Sequence, residues 1–147
     1  MHPIHPMIVH FPIALLIASA IFDLLALRWP SKSFREASLY ALIGGLLGAI
    51  FALVTGNLAE DLAVKGGAPK ALIERHETLA YISSAVFAAL LAMKLLIQWG
   101  RPRELPALSV TVGLVGGVVL GGAAYFGGSL VYEFGAGLVG SKTVLVP

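Results

Sequence analysis

The chain has 147 residues, of which 58% are hydrophobic and only 12% charged, with a mean hydropathy of +0.89. Soluble domains carry about a quarter charged residues, so this composition excludes an ordinary soluble globule and points to an integral membrane protein. The formal net charge of +2 comes with no basic run and no aromatic-basic interleaving, which argues against nucleic-acid partners, and the absence of cysteine excludes disulfides, iron-sulfur clusters and thiolate metal sites.

The apolar residues fall into runs of about 20, the length a helix needs to cross a hydrocarbon core of roughly 30 Å. An all-α, four-helix membrane bundle accounts for residues 1–147 as one domain, with spans over 6–27, 34–58, 71–99 and 105–125 and an interfacial tail over 126–147.

The first span opens on MHPIHPMIVHFP, which holds His2, His5 and His10, three of the four histidines in the chain. Pro6 and Pro12 suit a helix start, where the missing N–H has no intrahelical partner to lose. The span is long enough to cross and no small-residue cleavage site follows it, so it reads as retained rather than as a signal peptide. Arg28, Trp29 and Pro30 close it, and Asp23, about a turn away, is expected to pair with Arg28 at the interface. In the short basic loop WPSKSFRE, Ser33 and Glu36 have the spacing of a capping box.

The second span carries Gly44, Gly45, Gly48 and Gly56, small residues that let a helix or a flat ligand come close to the backbone. NLAEDLAVKGGAPKALIERHE then reads as the longest connection, with a Gly-Gly-Ala-Pro turn inside it. The third span has His76 in its second turn, and Lys94 near its far end is expected to snorkel to the interface. In the fourth span Gly113, Gly117 and Gly121 match the GxxxG spacing of close helix packing. The glycine-rich tail is expected at headgroup level, with Tyr125, Phe126, Tyr132 and Phe134 as its aromatics.

Arg28, Lys32, Arg35, Lys94, Arg101 and Arg103 go with loops one and three, against Lys65, Lys70, Arg75 and Lys142 on the other side. The positive-inside rule then places both termini and loop two outside the cell membrane. Whichever way the chain inserts, His2, His5, His10 and His76 share one side, with Glu60, Asp61, Glu74, Glu77 and Glu133. His10 and His76 each lie about 8 Å along their helices.

HPIHPMIVHFPIALL at the start, HETLAY at 76–81 and GGSLVYEFGAG at 127–137 resemble the bacterial membrane family called domain of unknown function 2231. The resemblance covers essentially the whole chain and implies a four-helix inner-membrane protein. Relatives fused or adjacent to Rieske-type or cytochrome-like modules imply electron transfer. It singles out His5, Pro6, His10, Phe11, Pro12, His76, Gly127, Gly128, Tyr132, Gly135 and Gly137, and leaves His2 outside its core motif.

Three readings of the histidine side stand open. The first is a b-type haem between spans one and three, ligated by His10 and His76 with His5 beside them, passing electrons to a quinone or a periplasmic carrier. The second is a copper, zinc or iron ion held by His5, His10 and His76 with Glu77, Glu60, Asp61 or Met7. The third is a cofactor-free accessory subunit of a homo-oligomer or a larger membrane complex. The spans show no central charge of the kind transporters use, and Ser83, Ser84 and Ser129 sit in no hydrolase motif. The chain therefore reads as an electron carrier or binding protein rather than a stand-alone enzyme.

Overall fold

The computed structural model describes residues 5–100 and 106–137; His2, Arg101, Arg103, Leu105 and the tail over 138–147 lie outside them. Described residues form a short helix, α1 (His5–Ile8), and four long ones, α2 (His10–Arg28), α3 (Lys32–Lys65), α4 (Lys70–Gln98) and α5 (Pro106–Tyr132). All four long elements, with α1 counted into the first, are long and apolar enough to cross a membrane. The protein is a multi-pass membrane protein.

The helices are apolar on all sides, as a bilayer solvent requires. Phe51, Leu58, Val118 and Leu114 are exposed on the outside, while Leu16, Leu42, Phe87, Leu90 and Leu120, contributed by all four helices, form the buried centre. α2 packs on α3 and α5, and α4 packs on the same two, so α2 and α4 stand diagonally across the bundle.

Glycine sets the close approaches, but in a different register from GxxxG. A Cβ on Gly45 would lie 2.7 Å from the Leu16 side chain, and one on Gly116 would lie 3.0 Å from the Phe87 ring. Gly117 and Gly121 face open space. The stripe that packs is therefore Gly113, Gly116, Leu120 and Ala123, a three-and-four alternation that follows one face of a helix with 3.6 residues per turn.

Two boundaries differ from expectation for physical reasons. α3 runs to Lys65 rather than 58, because Asn57–Lys65 contains the good helix formers leucine, alanine, glutamate and lysine and no glycine or proline. The second connection shrinks to 66–69, where Gly67 takes a φ of +96°. α5 continues through Gly127 and Gly128 to Tyr132, and Gly135, at φ +63°, then folds Phe134 and Ala136 onto Ala68, Ile73 and Leu130. Residues expected in a surface tail thus cap the same end of the bundle as the α3–α4 turn. The capping box is not formed either: α3 starts at Lys32 with Ser31 before it, its N-cap makes no side-chain bond, and Glu36 pairs with Lys32 at 3.4 Å.

Inside the opposite end lies a charged cluster. Lys94 Nζ donates to Asp23 Oδ1 at 2.5 Å and to Ser38 Oγ at 2.8 Å. Ser19 Oγ donates to the Ser38 carbonyl, and Ser38 Oγ returns a bond to the Ser19 carbonyl, both at 3.0 Å. This corrects two expectations. Asp23 pairs with Lys94 across the bundle rather than with Arg28, since residues five apart point about 140° apart on a helix. Lys94 turns inward instead of snorkelling, and Arg28 lies 5.0 Å from the centre of the Trp29 ring.

Candidate functional site

At the end capped by the α3–α4 turn, two histidines meet across the diagonal. Their ring centres, on His5 of α1 and His76 of α4, are 6.2 Å apart with planes at 78°. Each ring is held by its own pair of neighbours on the helix beside it.

On one side, Thr55 Oγ1 directs its single proton to the Phe51 or Ala52 carbonyl, at 3.0 and 3.1 Å. The same hydroxyl oxygen lies 3.2 Å from His5 Nδ1, within hydrogen-bond distance. On the other side, His76 Nδ1 lies 2.8 Å from the Ala123 carbonyl, which only accepts, so this nitrogen carries the proton. Each ring thus has its Nδ1 engaged by the neighbouring helix, which fixes the orientation of the imidazole.

Glycine makes the room for both rings. A Cβ on Gly56 would lie 3.1 Å from His5 Cε1, and one on Gly127 would lie 2.9 Å from His76 Cε1. Residue 56 on α3 and residue 127 on α5 thus act as matching cradles on the two flanking helices.

The expected partner of His76 was His10, and here the structure differs. His10 is exposed, whereas His5, five residues earlier in α1, lies against His76 and Thr55 inside the bundle. The metal set His5, His10, His76 and Glu77 is likewise not assembled: among the described residues no group of three or more histidine, aspartate or glutamate side chains is placed to hold a metal ion. Met7 is 77% exposed, and Asp61 is exposed as well. The residues that sequence reasoning missed are Thr55 and Ala123, which orient the rings. Gly56 is one of the four second-span glycines expected to let a helix or a flat ligand come close, and Gly127 enters only through the resemblance.

An imidazole nitrogen bonds a transition metal at about 2 Å, which puts two rings on opposite sides of one metal ion roughly 6 Å apart between centres. The hydrogen bonds at Nδ1 are the kind of outer support that orients an imidazole ligand and raises its basicity. Residues 1–140 match the family model described as Predicted membrane protein (DUF2231), and the chain belongs to that family. No curated protein and no solved structure matches it.

Proposed function

We propose that this member of the DUF2231 family is a membrane-embedded b-type haem protein for electron transfer, with His5 and His76 as the axial ligands. The observation that carries this reading is the pair itself: two rings 6.2 Å apart, both with Nδ1 engaged and each resting on a glycine. A haem held by His5 and His76 would supply one-electron chemistry. The chain's own residues do the rest. Thr55 and the Ala123 carbonyl orient the imidazoles, Gly56 and Gly127 give clearance, and the apolar bundle keeps bulk water away. The charge distribution of the loops supports an outward-facing site in the bacterial inner membrane, within reach of a quinone or a periplasmic electron carrier.

The test is an oxidised and a dithionite-reduced absorption spectrum of detergent-purified protein from cells supplied with haem precursor. The reading expects a Soret band and a sharp reduced alpha band, lost in His5→Ala and His76→Ala and kept in His10→Ala. A featureless spectrum with stoichiometric copper, zinc or iron would replace haem by a bare metal ion. Neither haem nor metal would leave an accessory subunit.

A further inference from the structure

The Asp23–Lys94 cluster plays no part in the histidine site, from which it is separated by eighteen residues of α4, about 27 Å. It is also incompletely bonded. Asp23 is 6% exposed, and its Oδ2 is buried with no hydrogen-bond partner. Lys94, a three-donor ammonium, spends one N–H on Asp23 Oδ1 and one on Ser38 Oγ. Buried carboxylate oxygens are almost always bonded, and a charged group inside a membrane bundle is costly enough to mark a proton or ion pathway by default. A plain strut between helices would not need the second oxygen left bare.

We propose that Asp23 and Lys94 form a proton-binding site at the α2–α3 end of the bundle, with Asp23 Oδ2 as the acceptor. Uptake takes one proton from the solution on that side and converts the carboxylate to a carboxylic acid, while Lys94 remains an ammonium bonded to Ser38. The net charge of the site rises by one, and release reverses the step. The other ionisable side chains toward this end are Arg28 on α2 and Lys32, Arg35 and Glu36 at the start of α3. Lys94 is the one on α4, and α5 contributes none among its described residues. The site does not depend on what the histidines hold.

The chain has two aspartates, Asp23 and Asp61, and Asp61 is exposed. Carboxyl-labelled [13C]aspartate therefore gives an NMR spectrum with one buried and one control signal. The full chain in detergent is titrated over the pH range in which its helicity by circular dichroism stays constant. We expect two resolved carboxyl signals, with that of Asp23 moving from the carboxylate to the acid position within this range. Asp61→Asn should leave the Asp23 titration in place, and Asp23→Asn should remove it. The wild-type and Asp61→Asn spectra decide the matter even if Asp23→Asn does not fold. An Asp23 signal that stays in one protonation state throughout that range overturns the proposal.

Discussion

Removing the lysine from the buried pair is the sharpest test of how this bundle is held together. Asp23 is 6% exposed and the Lys94 side chain 13%, so the values measured for surface ion pairs do not apply. Lys94→Met fills most of the lysine volume but leaves Asp23 charged and unpaired, and breaking a buried pair in this way costs about 3–5 kcal/mol. At about 1.4 kcal/mol per factor of ten, the folded-to-unfolded ratio should fall by roughly two to nearly four orders of magnitude. The double variant Asp23→Leu/Lys94→Met removes both charges and should recover most of that loss, because an apolar pair of similar volume is neutral or better in a low-dielectric interior. Ser38 loses a donor in both variants, so the comparison isolates the stranded carboxylate. The assay is reversible denaturant unfolding in detergent, followed by circular dichroism. A single variant that loses less than about 1 kcal/mol, or a double variant no better than the single, would refute the reasoning.

Other perturbations separate the site from the scaffold. Gly127→Ala places a Cβ 2.9 Å from His76 Cε1 and 3.1 Å from Nδ1, so it should displace the ring and lower haem occupancy in a pyridine haemochrome assay. Gly128→Ala, next to it with nothing within 4 Å, should leave occupancy unchanged. Gly117→Ala and Gly121→Ala also meet open space and should each stabilise the monomer by about 0.5–1 kcal/mol in thermal unfolding, where a GxxxG packing face would lose stability. Thr55→Val removes the hydroxyl that lies against His5 Nδ1 and should shift the midpoint of a spectroelectrochemical redox titration, while Thr55→Ser should restore it.

Run length and composition were enough to read four membrane helices, because the bilayer imposes both on any spanning segment. Rotation about the helix axes was not so readable. Depth counted along a straight first span put His10 level with His76, yet five residues turn a helix by about 140°, so His5 and His10 cannot face the same partner. The same blindness set Asp23 beside Arg28, five residues on, and concealed Lys94, whose place depends on how two diagonal helices are phased. Charges at Glu60 and Asp61 disguised the end of α3 as a loop, and the glycines of 127 and 128 disguised the end of α5. Gly127 is in the helix because His76 occupies the space its side chain would take.

The most direct test of the central claim is the low-temperature electron paramagnetic resonance spectrum of the oxidised, haem-loaded protein. A haem held by two histidines of this chain would be low-spin when oxidised, so the account predicts a low-spin ferric signal. That signal should survive His10→Ala and disappear in His5→Ala. A high-spin signal, or a signal abolished by His10→Ala but not by His5→Ala, would contradict the account.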